Sequence, residues 1–443
     1  MADQRQTAKS HLAELLRSCV QCGLCLPTCA TWLATGNEVH SPRGRLLLLE
    51  EVLNIEDPDT NIPVAFLAAF DHCIGCRACE TACPSGVPFS LLEYGQGLAG
   101  DLVVNGSPEI PQPAVPGFVL RRLDSPSVLR FLGRVAGGTR SFFAGILGRR
   151  WRSRLDHLPV GMRSLVRLVG SMPTAPETDD QLRALLDDLV KSSSVVPPQT
   201  YPEDAPVSDD SPSDVAFFQG CANNGLLSGP SRRLCELLRS AGCRVEVPQG
   251  QDCCGALAAH TGRPTRAAAQ HHRNREVFNK NTGTGSRIVV EAAGCGLELK
   301  EGLGDLGSQV IDAVHLLSGL NLPVLRAVPL KVAVHDPCHA RHGQGISQQP
   351  RELLSRIPGL TLVEAAEVEV CCGSGGVWGL RYPEISEQLG RRKAENLATT
   401  GADLVVTSNP GCLGQIADGL ALIAPDLPIL PLTDLVWYAV KPE

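Results

Sequence analysis

Aromatic residues are scarce in this 443-residue chain, with 10 Phe, 4 Trp and 4 Tyr. No stretch approaches the roughly 18 consecutive apolar residues of a membrane-spanning helix, which excludes an integral helical membrane protein. Residues 1–18 are polar and carry no apolar core of a signal peptide, so a cytoplasmic location is expected. Acidic residues outnumber basic ones by 47 to 40, a net charge of −7 that gives no general attraction to nucleic acid. A G-x-G-x-x-G run between a strand and a helix is also missing, so no dinucleotide site is expected. The glycine-rich run Gly373-Ser374-Gly375-Gly376 follows a cysteine pair and reads as backbone clearance.

Cysteine, by contrast, is plentiful at 18 residues. In a chain without an export signal this density points to metal or redox chemistry rather than disulfides. Cys235 and Cys243 read as small core residues; the remainder are patterned. Cys19, Cys22, Cys25 and Cys29 follow C-x2-C-x2-C-x3-C, and Cys73, Cys76, Cys79 and Cys83 repeat it, with Pro84 after the last. Three thiolates at intervals of three let one tight loop wrap a cubane [4Fe–4S] cluster, while the fourth cysteine reaches the other cluster. Cys19, Cys22, Cys25 and Cys83 are thus assigned to one cluster, and Cys73, Cys76, Cys79 and Cys29 to the second. Zinc ribbons pair two C-x2-C knuckles, and the third and fourth cysteines here argue against them. Between the motifs, Ser41-Pro42-Arg43-Gly44-Arg45 reads as a helix start. Arg43 and Arg45 fit two readings: cations over a cluster, or solvated helix residues.

From Phe118 to Gly170 there are 11 arginines, no lysine and only Asp124 and Asp156 as acids. Apolar residues interleave there at helical spacing. Such a basic helical connector suits an anionic membrane surface or an acidic partner, or else packs its apolar face on its own protein. Residues 171–213 turn acidic and rich in Pro and Ser, and read as a linker with one short helix around Gln181–Lys191.

The C-terminal half is a duplication. Cys221, the pair Cys253-Cys254 before Gly255, and Cys295 recur as Cys338, Cys371-Cys372 before Gly373, and Cys412. Predicted strands over Val215–Gln219, Arg244–Val247 and Ile288–Ala292 have counterparts at Leu330–His335, Leu360–Val363 and Leu404–Thr407. Helical segments lie between, so each unit is expected to be a small parallel-sheet α/β structure. Four of the cysteines follow strand ends, where open α/β sheets bind ligands. Each set of four therefore fits three readings: a further iron–sulfur cluster, a redox-active dithiol, or a packing relic of an older cluster site that binds nothing. His335, His339 and His342 around Cys338, and His260 after the first pair, are candidates to support the sulfur ligands.

The two C-x2-C-x2-C-x3-C motifs, the Ser-Pro-Arg-Gly-Arg element and the paired Cys-Cys-Gly repeats resemble the glycolate oxidase iron–sulfur subunit family, over residues 12–96 and 214–440. The repeats are also similar to cysteine-rich domains of heterodisulfide reductase and of the anaerobic glycerol-3-phosphate dehydrogenase iron–sulfur subunit. The fullest form of that domain closes with C-x2-C. Here Glu298 and Gln415 stand in that place, so a five-cysteine non-cubane cluster is not carried over. The resemblance implies a multidomain α+β subunit in four parts. These are a two-cluster ferredoxin-like domain (1–100), the connector and linker (101–213), and two cysteine-rich units (214–325 and 326–443). It implies an electron-transfer subunit that serves FAD-containing glycolate oxidase subunits and passes electrons towards a quinone-type acceptor, with peripheral contact at the cytoplasmic face of the inner membrane. FAD is expected on the partners only, and no substrate-oxidising residue on this chain. Alternatives are the equivalent subunit of a lactate or anaerobic glycerol-3-phosphate dehydrogenase, and a stand-alone dithiol or heterodisulfide oxidoreductase.

Overall fold

The structure is a computed structural model that describes residues 10–55, 62–105, 124–131, 175–195, 214–260, 263–281, 283 and 285–440. The N-terminal part is helical. Its longer helices are Pro42–Leu53, Val64–Asp71 and Ser90–Asn105, closed around Leu49, Phe70, Leu91 and Leu92. The helix expected at Ser41 begins there: Pro42 opens it and the Ser41 hydroxyl accepts the Gly44 N–H at 2.9 Å.

Two four-stranded parallel sheets follow. The first has β1 (Asp214–Phe218), β2 (Arg244–Glu246), β3 (Arg287–Val290) and β4 (Val310–Asp312), in the order β2-β1-β3-β4. The second has β5 (Lys331–His335), β6 (Thr361–Val363), β7 (Leu404–Thr407) and β8 (Ile429–Pro431), in the order β6-β5-β7-β8. The registers match across the duplication: Phe218 pairs with Val290 as His335 pairs with Thr407. The fourth strand of each sheet escaped the sequence reading because it runs straight into a helix, at Ala313 and at Leu432, with no turn to set it off.

Both faces of these sheets are covered, which is why their strands read as apolar runs rather than alternations. Val215 and Phe217 of β1, and Val332 and Val334 of β5, point into one core shared by the two units. Ala216 and Phe218 face a second core, and Ala333 a third. The stretch read as a linker does more than connect: Asp179–Ser192 is an amphipathic helix, closed by a Thr178–Gln181 capping box, that buries Leu182 and Leu186 in the shared core. Of the basic connector, residues 124–131 pack on the first unit through Leu129, and Asp124 pairs with Arg266. The remainder of the Phe118–Gly170 stretch lies outside the described residues. Among the described residues no helix is long and apolar enough to cross a membrane.

The two units are also joined by a buried ion pair. Arg233, from the helix Ser228–Ser240, donates two hydrogen bonds of 2.8 Å to Asp434 in the helix Leu432–Ala439, and neither side chain is exposed. Removing one partner strands a buried charge, so Arg233→Ala is expected to cost about 3–5 kcal/mol. The neighbouring Arg232, half exposed beside Asp179 and Glu236, is expected to cost less than about 1 kcal/mol when replaced by Ala. Urea unfolding midpoints of the two variants check the contrast.

Candidate functional site

The N-terminal thiols lie on two loops and the short helices after them. Gln21, Gly23, Gly75 and Arg77 have left-handed backbone, and these turns let each loop curl its cysteines towards one point. Cys19, Cys22, Cys25 and Cys83 line one cavity, together with Arg43 and with Cys79 at its wall. Cys29, Cys73, Cys76 and Cys79 form a second group, in which Cys29 lies within electrostatic reach of the other three. The Cys83 sulfur accepts the Val87 N–H at 3.4 Å. These residues fit iron–sulfur clusters, because all eight thiols are free of disulfides and sit in two convergent sets.

The two arginines divide the readings that sequence left open. Arg43 is partly exposed, pairs with Glu38 at 2.7 Å and borders the first cavity. Arg45 is wholly buried, donates to the Ala69 carbonyl at 2.7 Å, and brings its charge to bear on Cys73 and Cys79.

In the cysteine-rich units the thiols converge at the carboxyl edge of each sheet. Cys221 and Cys338 open the helices after β1 and β5, and Cys295 and Cys412 lie in the first turns of the helices after β3 and β7. The strand order reverses between β1 and β3, and again between β5 and β7, so both sets stand at a topological switch point. Four helix N-termini thus direct their positive ends at sulfur. The cysteine pairs complete the sets from the loops after β2 and β6. Cys221 and Cys253 lie 3.6 Å apart, and Cys253 and Cys295 both hydrogen-bond Cys254. In the second unit the same chain of contacts runs through Cys338, Cys371, Cys372 and Cys412. Gly255 and Gly373 have φ of +104° and +83°, and a Cβ there would meet His271 and Leu389 at 2.6 Å. The adjacent cysteines therefore depend on glycine for the turn that follows them.

The sets are neighbours. Cys76 of the N-terminal domain lies in electrostatic reach of Cys338 and Cys371. The contact is held by His339, whose Nε2 lies 3.0 Å from the Gly75 carbonyl, and by His342, 2.6 Å from the Thr81 hydroxyl. Arg381 binds Asp71 in a buried ion pair that the Tyr382 hydroxyl joins. Gly375 approaches Ile74 so closely that a Cβ would lie 2.8 Å from that side chain, in keeping with backbone clearance. A ladder of rings crosses the same boundary: His40 to His72 at 4.1 Å, His72 to Tyr382 at 4.3 Å and Tyr382 to Trp378 at 5.2 Å. Sequence reading missed Asp71, Arg381, Tyr382, His40 and His72, since no spacing links residues about 300 positions apart. His260 sits 6.2 Å from His339, ring to ring.

Residues 15–87 match the 4Fe-4S dicluster domain family, and residues 215–300 and 332–417 each match the cysteine-rich domain family. The chain is 29% identical to a probable glycolate oxidase iron–sulfur subunit of Bacillus subtilis, over 91% of this chain and 89% of that one. It is 28% identical to the glycolate oxidase iron–sulfur subunit of Escherichia coli, over 94% and 93%. A lactate utilization protein A of Halalkalibacterium halodurans is 30% identical, over 46% of this chain and 87% of that one. The chain belongs to the family of iron–sulfur subunits that includes these glycolate oxidase proteins. In this family member the two matched domain types are the two places where thiols converge.

Burial sets the protonation of several N-terminal thiols. It pushes Cys25 up to about 11, and Cys76 and Cys79 well above the ordinary thiol value. Without metal these groups therefore hold their protons at neutral pH, and loading must displace them. Adding iron and sulfide to the metal-free chain in weak buffer is expected to acidify it. Apparent affinity should rise as pH climbs towards the raised values, by about tenfold per pH unit for each thiol displaced. An indicator dye and a loading curve at several pH values check both signs. Arg45 offers a second test. Its buried positive charge favours the reduced cluster, so Arg45→Met is expected to lower one cluster potential by on the order of tens of millivolts. Arg43→Met, in the solvated position, is expected to move it less in a potentiometric EPR titration.

Proposed function

We propose that Cys19, Cys22, Cys25 and Cys83 hold one [4Fe–4S] cluster and Cys73, Cys76, Cys79 and Cys29 the second. On this reading the chain relays electrons from a flavin-bearing partner that oxidises glycolate or a related 2-hydroxy acid. Iron–sulfur clusters, when bound, take up and release single electrons. The chain's own residues supply the thiolates, the loop amides that face sulfur, the buried cation of Arg45, and the docking that keeps successive sulfur sets close. The observation that carries the proposal is that adjacency. Cys76 shares one buried cluster with Cys371 and Cys338, which offers a path for electrons between the N-terminal sets and the second cysteine-rich unit. The cysteine-rich sets Cys221, Cys253, Cys254, Cys295 and Cys338, Cys371, Cys372, Cys412 are candidate sites for further clusters on that path.

The substrate reading rests on the two glycolate oxidase relatives, which align over nearly the whole chain. The lactate relative aligns with less than half of it and supports the second reading, a lactate-oxidising system. FAD is placed on the partner, the acceptor is taken as a quinone, and the complex as cytoplasmic with peripheral membrane contact through the basic stretch. Substrate titration of the native complex, purified without oxygen and followed by cluster EPR, separates these. Glycolate alone is expected to produce reduced-cluster signals through a co-purified flavoprotein. Reduction by lactate but not glycolate would move the assignment to the second reading, and no reduction by any 2-hydroxy acid would overturn the subunit role.

A further inference from the structure

The two cysteine-rich units carry matching thiols, but they differ at the last residue of their first strand. β1 ends in Phe218, which is buried beside Cys221, Cys253 and Cys254 and packs its ring against Phe278 at 6.3 Å. β5 ends in His335 at the corresponding register position. His335 is only 3% exposed, and its Nε2 has no hydrogen-bond partner among the described residues. A polar nitrogen left bare inside a protein is costly, so a buried histidine of this kind calls for a partner. Two thiols lie close to it. A ring nitrogen of His335 and the Sγ atoms of Cys372 and Cys412 all lie within 4.8 Å of one another, and all three residues are buried.

We propose that His335 is a metal ligand, and that with Cys372 and Cys412 it presents one nitrogen and two thiolates to a transition-metal centre in the second unit. The first unit, with Phe218 in the corresponding place, presents sulfur alone. This rests on the reading that the cysteine-rich units hold metal. One imidazole and two thiolates suit iron or zinc and disfavour hard cations such as magnesium or calcium. The surroundings support the assignment. The Asn409 amide donates to the Cys412 sulfur at 3.5 Å, and the nearly buried Lys393 brings a positive charge close to Cys372. Gln415, one turn beyond Cys412, is occupied elsewhere, donating to the Ser386 carbonyl at 2.7 Å. If the metal is iron, a neutral imidazole bound to it in place of one of the available thiolates leaves the ligand set one negative charge short of an all-thiolate set and raises the potential, as in the centres with two histidine ligands. The unit with the histidine is also the one whose Cys338 and Cys371 face Cys76, so the higher potential falls where the N-terminal sulfur sets deliver electrons.

The test uses the full-length chain purified without oxygen, with metal content measured alongside pulsed EPR of the reduced protein. The wild type is expected to carry iron or zinc beyond that of the N-terminal clusters. His335→Phe installs the residue that the first unit already uses, and it should lose the metal of one unit while the N-terminal cluster signals persist. His335→Cys should keep the metal but lose the imidazole nitrogen coupling, which also covers the case in which the phenylalanine variant fails to fold. If the metal is zinc, X-ray absorption replaces EPR, and a mixed nitrogen–sulfur shell should become all sulfur in His335→Cys. Unchanged metal content and an unchanged nitrogen signature in these variants would overturn the ligand assignment alone. Absence of any metal beyond the N-terminal clusters in the wild type would overturn both it and the reading that the second unit holds a centre.

Discussion

The buried contact of Arg381 with Asp71 and Tyr382 is the interaction on which the working arrangement depends. A carboxylate and a guanidinium withdrawn from water are costly apart and tolerable only together. The pair forms across two domains, so it exists only when the N-terminal domain is seated on the second cysteine-rich unit. That seating brings Cys76 into one buried cluster with Cys371 and Cys338. A displaced domain would expose one charge to an unpaired, partly buried setting, which makes the docked position specific as well as stable. The hydrogen bonds of His339 to Gly75 and of His342 to Thr81 add direction to the contact.

The second constraint is the parallel sheet. Parallel strands need crossover helices, and each crossover returns the chain to the same edge with a helix N-terminus facing it. Three strand ends per unit therefore deliver cysteines from distant positions to one point without any local sequence device. Helix dipoles aimed at that point favour anionic sulfur. The shared core that receives one face of both sheets, together with the helix Asp179–Ser192, locks the two units into one body. The Arg233–Asp434 pair ties them further through the bundle of helices between the sheets.

Duplication supplies two sites of common geometry, and small substitutions then make them different. Phe218 and His335 share a place in the fold but not a chemistry. One closes its pocket with an apolar ring, while the other leaves a nitrogen beside two thiols. A repeat of this kind allows the two units to differ at one place while both keep the same geometry.

Much of this molecule was legible in the chain itself. Cysteine spacing at intervals of three is a local property, because one turn of loop decides where such thiols point. The repeat frame and the apolar strands are likewise local, and so is the Ser41–Pro42 helix start. The edge strands β4 and β8 were not legible, since each passes into a helix with no turn between them. The helix Asp179–Ser192 was visible as a helix, yet its burial was not, because its partners lie on strands and helices far along the chain. The same holds for Arg45, whose burial depends on the helix Val64–Asp71 folding over it, and for the His335 pocket, which needs β5, the Cys372 loop and the Cys412 helix at once. Sequence alone determined which sulfur ligands exist and how they group along the chain. Only the tertiary structure decided which groups meet, because that depends on charges and rings buried between residues hundreds of positions apart, where no local preference of the backbone can act.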